Sequence, residues 1–325
     1  MAMFTPARRG PQTLYMKATP ALKGPPATVV YDGDGLSGVM SGNQPMRFLG
    51  CDTAEIAYTV PTGPTSSKRQ QKVAGPLWDA YLADPLAAGA WPPFGGALHP
   101  LVEQRFAAAS GAGCAANHAG HAARARQALI DMIEADQARL GIAPADFRLF
   151  IAVTHEVFDG YGRLLAFVNT DVRDPANRPA QTYNERMIAN GMASPFFIWP
   201  NIDPFIGKPA VTEAAMPPPE LRRRVARSRL ERSRADARAA RAAGLGVYNP
   251  ADPLRLLAYE LRMLGDRKVP SRWVIDLSAA PDDPTILPPE GYLLIPHPED
   301  RLFVPAEYVP LFAQRGWQPA RLVRF

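Results

Sequence analysis

Cysteine is nearly missing from this chain: two residues in 325, Cys51 and Cys114. So few cannot build a disulfide scaffold, and nothing here demands an oxidising compartment. Cys51 stands in a stretch of strand character and reads as a small buried hydrophobe. Histidine is scarce as well, five in all. His118 and His121 lie three apart at a helix start with no acid close by, so they read as structural and not as metal ligands. His155 falls in a strand-like stretch and His99 precedes a proline, which gives both a structural reading; His297, between two prolines, has no recognisable role. Long apolar runs are absent too. The longest, at 164–168 and 195–200, fall far short of the roughly 20 residues that span a bilayer, so no membrane association is expected. Residues 1–30 hold no apolar core of about 7–15 residues, the mark of a Sec-type signal peptide. A cytoplasmic location is the expectation, with signal-less export left open.

Apolar residues make up 47% of the chain, enough for a sizeable core in one large domain or two ordinary ones. The net charge is +5 and the pI about 9.3. A basic balance permits an anionic partner without proving one. Its positive side chains are mostly arginine, the residue that grips phosphate bidentately.

The densest chemistry lies in Asp32-Gly33-Asp34-Gly35, followed by Arg47 and then Asp52-Thr53-Ala54-Glu55. Acids crowded at the ends of short strands repel one another unless a positive charge sits among them. A divalent cation held by carboxylate oxygens meets that need, with Arg47 beside it for an anionic substrate, a phosphodiester before other choices. An isolated Asp-Gly-Asp more often only shapes a turn; Asp52 and Glu55 weigh against that reading here.

Along the chain, 1–26 is Pro/Gly-rich and reads as an N-terminal arm. Strands are expected over 27–32, 36–40 and 46–51, forming a meander. Residues 57–117 are irregular, with short helices expected near 76–82 and 101–110. A helix is expected over 121–140, strands over 147–158 and 164–168, and a short helix over 183–190. A long Arg/Ala helix is expected over 220–243, and its nine arginines between 222 and 241 read mainly as a solvated face. From 251 the texture changes: a helix over 254–264, strands at 273–277 and 291–295, and a helix over 306–315, as a small second module or a C-terminal wrap.

Four separated places, in order, give a resemblance to the staphylococcal-nuclease-like (thermonuclease) family. They are the first strand with its Asp-Gly-Asp turn (27–34), the segment from Arg47 to Glu55, the hairpin Asp159-Gly160-Tyr161-Gly162-Arg163, and Tyr183-Asn184-Glu185 with the exit Asn190-Gly191. The likeness covers roughly residues 25–250, interrupted by an insertion at about 57–117. It departs from the family pattern at Gly35 and Ala54, where Thr and Pro are usual.

The resemblance implies an α+β fold: a five-stranded OB-type β-barrel with about three packed helices, plus the helical or irregular insertion and a C-terminal extension over 251–325. The nuclease domain would span 27–250. It also implies a Ca²⁺-dependent endonuclease cleaving DNA, and RNA as well, with little sequence preference, leaving 3′-phosphates. Asp34, Asp52 and the backbone carbonyl of Thr53 would hold Ca²⁺, with Asp32 one layer behind. Glu55 would be the general base and Arg47 and Arg163 the phosphate clamps. Tyr161, Phe197 and Trp199 would stack on base or ribose, although Phe197 reads equally as core. The alternatives are a non-catalytic OB-type module that binds nucleic acid or protein, and a nuclease toxin or defence effector with the same chemistry.

Overall fold

The computed structural model describes residues 21–22, 25, 30–33, 35–39, 43–172, 174, 177–203 and 211–321, with backbone alone at 21–22, 30–32, 35–39, 43–44 and 211–212. The chain opens with strands β1 (Ala21–Leu22), β2 (Val30–Asp32), β3 (Gly35–Val39), β4 (Asn43–Phe48) and β5 (Gly50–Asp52), then a hairpin of β6 (Ala57–Pro61) and β7 (Lys68–Lys72). Helices α1 (Pro76–Ala83), α2 (Pro100–Ala109) and α3 (Cys114–Leu140) follow. Then come β8 (Leu149–Ala152), β9 (Leu164–Thr170), α4 (Tyr183–Ala189), β10 (Ser194–Ile198) and α5 (Val211–Ala214). Helices α6 (Pro218–Ala226), α7 (Arg229–Ala242) and α8 (Ala258–Asp266) precede β11 (Trp273–Asp276), β12 (Thr285–Ile286) and β13 (Arg301–Val304). Helix α9 (Val309–Gln314) and β14 (Gln318–Pro319) finish the described chain.

The result is a mixed α+β fold with several sheets. The described residues hold nine α-helices: each of the seven expected segments is represented, the one over 220–243 is split into α6 and α7, and α5 is not among those expected. The first sheet runs β1-β3-β4-β9-β8, with β2 paired to β3, and its β4–β9 contact is parallel. A second sheet runs β11-β13-β10-β5. The pairings among the described strands do not close a barrel.

A kink links the two sheets. The expected strand over 46–51 breaks at Gly50, whose φ of +77° is a left-handed conformation open to glycine without a Cβ penalty. β4 stays in the first sheet while β5 leaves it to pair antiparallel with β10, Asp52 opposite Ser194. The bend would strand backbone polar groups, and Asn184 takes them up. Its amide donates to the carbonyls of Leu49 (2.9 Å) and Ala166 (3.0 Å), and its side-chain oxygen accepts the Val168 N–H at 2.9 Å. A buried amide so satisfied fixes the direction in which β5, and hence Asp52, departs.

The core under the first sheet joins Met46, Phe48, Leu129, Ile133, Leu164 and Met187, uniting β4, α3, β9 and α4. Two more cores reach the C-terminal segment. Phe197 and Trp199 of the β10 end pack with Leu302 and Phe312. Trp78 and Phe106 of the insertion pack with Leu261 and Leu264 of α8. Residues 251–321 therefore share cores with both the first 250 residues and the insertion. Among the described residues no helix is long and apolar enough to cross a membrane.

Candidate active site

Asp52, at the end of β5, is 2% exposed, and Glu55, in the loop that follows, is 7% exposed. Two carboxylates held that far from water need charge compensation close by. Arg47 of β4 supplies one guanidinium, its Nη2 bonded to Asp52 Oδ1. A second comes from the far end of the sequence. Arg262, on α8, places Nη2 at 2.7 Å from Asp52 Oδ2, and its Nη1 at 2.9 Å from Asp52 Oδ1 and 2.6 Å from Glu55 Oε1. Burial works against the charged form of Arg262, but the carboxylates of Asp52 and Glu55 together outweigh it and hold the guanidinium protonated well above the ordinary arginine range.

Glu55 is held from behind as well. Its backbone N–H donates to Nε2 of His118 at 2.8 Å. His118, on α3, is fully buried, and burial pushes its imidazole down to about 3, so it stays neutral with the proton on Nδ1. The structural reading of His118 therefore extends to the site: it is a positioning residue for the Glu55 loop.

The Asp-Gly-Asp turn approaches the same place. A Cβ on Gly33 would lie 2.5 Å from Ala125 Cβ and 2.8 Å from the Thr53 Cγ2 methyl, so only glycine fits between α3 and the loop after β5. Thr53 is itself 2% exposed. Asp34 and the side chain of Asp32 lie outside the described residues.

Arg163 sits just before β9, two residues from Leu165, which is in register with Arg47. The parallel β4–β9 contact thus places the backbone of Arg163 two residues along from the strand partner of Arg47, more than a hundred residues away in sequence. The hairpin is shaped by Asp159, whose carboxylate accepts the N–H groups of Tyr161 (2.9 Å) and Arg163 (3.0 Å) and the Arg163 Nε at 2.7 Å. Those bonds hold the Asp159 carboxyl below the usual range even though burial opposes them. The Arg163 guanidinium lies 5.6 Å from the centre of the Tyr161 ring, which is 78% exposed. Tyr161 is thus open to stacking.

Phe197 and Trp199 are not. They are 3% and 1% exposed. Trp199 is packed edge-on by Tyr308 and Phe312, each centred 4.9 Å away. The expectation that these rings stack on a base is corrected: the C-terminal segment covers them and they are core. The Arg/Ala helix is corrected in two respects. It breaks into α6 and α7 at Ser228, whose hydroxyl caps α7 by accepting the Leu230 N–H. Its arginines are also less solvated than expected. Arg222 donates to the carbonyls of Asp276 and Asp283, Arg229 pairs with Glu185, Arg234 with Asp300 and Glu231, Arg238 with Glu231, and Arg241 with Glu299.

Among the described residues no group of three or more His, Cys, Asp or Glu could hold a metal ion. The Ca²⁺ that the resemblance implies would draw on Asp52, both of whose oxygens already accept from guanidinium groups. A divalent ion fits those oxygens only if Arg262 gives way. Arg272, exposed on the segment entering β11, lies within electrostatic reach of Asp52, Arg262 and Glu156 and rests over the Phe196 ring at 5.8 Å. Sequence reasoning missed Arg262, Arg272 and the part played by His118. A helix over 254–264 was legible, but nothing in its pattern singled out one arginine.

No protein-family model matches the chain, and no curated protein is significantly similar to it.

Proposed function

We propose that this protein is a phosphodiesterase that cleaves nucleic acid, DNA or RNA, at the Arg47–Asp52–Glu55 site. The observation that carries the reading is the convergence of Arg47, Asp52 and Glu55 on a kink between two sheets, with Arg163 two residues from the strand partner of Arg47. The meander β2-β3-β4, the parallel β4–β9 contact and the antiparallel β9–β8 contact support an OB-type reading of the first sheet.

In this reading Glu55 orients and deprotonates the attacking water. Arg47 and Arg163 neutralise charge growing on the phosphoryl oxygens, the contribution that usually dominates such sites. Exposed Tyr161 offers a stacking face to a base, which tolerates any sequence. Arg272 adds a further donor for the backbone. The products would be 3′-phosphates if the likeness to thermonucleases extends that far.

A second reading has a specific observation behind it. Glu55 is engaged by Arg262 at 2.6 Å, and a carboxylate in an ion pair is a weaker base. The protein would then hold nucleic acid without cutting it. Labelled single-stranded DNA and RNA oligonucleotides separate the two, read for both retention and cleavage. Cleavage by the wild type that is lost in Glu55→Gln supports the phosphodiesterase; retention without cleavage supports the binding module.

A further inference from the structure

The expected cation of this site and the cation present in it differ. Arg262 makes three bonds of 2.6–2.9 Å across Asp52 and Glu55, reaching both oxygens of the residue on which a metal would depend. Together with Arg47 on Asp52 Oδ1, a guanidinium placed there satisfies the carboxylates and repels any further positive charge. The question is whether Arg262 is a loose side chain that a metal displaces or a built part of the site.

The seat of α8 answers it. At the N-terminal end, Glu260 is 1% exposed and caps the helix by accepting the Leu257 N–H at 2.9 Å. Arg105 of α2 grips the same carboxylate bidentately, Nε at 2.9 Å and Nη2 at 2.8 Å. At the C-terminal end, Asp266 accepts from the hydroxyls of Tyr58 (3.1 Å) and Thr59 (3.3 Å) on β6. Arg267, buried next to it, donates to the carbonyls of Pro85 and Pro92, both at 2.7 Å. Between the two ends Gly265 lets the helix approach so closely that a Cβ there would stand 2.3 Å from the Thr59 carbonyl oxygen. Insertion and C-terminal segment thus form one clamp, and Arg262 projects from it onto Asp52.

We propose that Arg262 is the resident cation of this site, that it determines which cation the site takes, and that it keeps a divalent metal away from Asp52. This rests on the reading of Asp52 and Glu55 as the phosphodiester site, but metal exclusion is measurable without any activity. The positive charge a metal would bring to the phosphate then comes from arginine alone, and a guanidinium in a fixed fork serves that role.

The test is the thermal unfolding of the full chain in EDTA and in calcium chloride, for the wild type, Arg262→Met, Asp52→Asn and Arg262→Met/Asp52→Asn. The midpoint of the wild type is expected to be the same in EDTA and calcium. That of Arg262→Met is expected to be lower in EDTA, because two buried carboxylates lose their shared partner, and to rise by several degrees with calcium as a ligand-bound native state must. The double variant is expected to lose that rise. A calcium-induced rise in the wild type that Asp52→Asn abolishes overturns the proposal, and so does a folded Arg262→Met that gains nothing from calcium. If Arg262→Met folds in neither buffer, the wild type and Asp52→Asn decide alone. Failure of the phosphodiesterase reading shows separately, as absence of oligonucleotide cleavage while the calcium result stands.

Discussion

His118 ties the chemistry of one residue to the pH response of the molecule. Its folded-state value is pushed down to about 3 from an ordinary 6.5, so the unfolded chain takes up a proton where the folded chain does not. The stability linked to the neutral imidazole is complete above about pH 6.5 and is lost progressively as pH falls toward 3, by several kcal/mol at the lower end. Denaturant titrations across that window are expected to show the loss in the wild type and a shallower slope in His118→Gln, which does not titrate but retains an acceptor for the Glu55 N–H. His118→Leu leaves that N–H buried without its acceptor and is expected to cost about 1–3 kcal/mol at neutral pH. Equal slopes in the wild type and His118→Gln would remove His118 from the account. Arg47, Asp52 and Glu55 were legible because they fall in one short stretch of sequence. Arg262 was not, since it meets Asp52 across 210 residues and no local spacing encodes that contact.

At the scale of elements, α8 is the part whose placement matters most. Gly265→Ala sets a methyl group against the Thr59 carbonyl and the Trp78 ring. It is expected to destabilise by about 1–3 kcal/mol through overpacking and to raise amide exchange along 258–266. Unchanged exchange there would mean that α8 is not seated by this contact. Elements were legible where periodicity and punctuation agreed. The end of α3 at Gly141 and of α4 before Gly191 follow from left-handed glycines, φ +63° and +67°. β7 was missed because Lys-Arg-Gln-Gln-Lys has no apolar alternation to reveal a strand. The strand expected over 291–295 is instead part of a 3₁₀ turn beginning at Pro289, where proline fixes φ and suits a helical first position. The expected strand over 147–158 shrinks to β8, with only an isolated bridge from Phe158 to Leu164 beyond it.

At the scale of the molecule, the C-terminal segment is built into the sheet and the cores of the rest of the chain. β13 pairs in parallel with β10 and antiparallel with β11, so removing 251–325 strips β10 of a neighbour and uncovers Phe197 and Trp199. A chain ending at 250 is expected to aggregate or to lose cooperative unfolding; a soluble fragment with the wild-type midpoint would contradict this. The sequence texture marked the boundary near 250 but not the shared cores, because contacts between distant segments leave no periodic trace in either.

We propose that Arg47, Asp52 and Glu55 form one phosphodiester-cleaving site whose cation is Arg262. This is tested most directly by the cleavage rate of a labelled single-stranded oligonucleotide in EDTA and in calcium. Equal wild-type rates are expected in both buffers, falling on the order of 100-fold or more in Arg47→Ala. No cleavage in either buffer, or cleavage in calcium alone, would contradict the proposal.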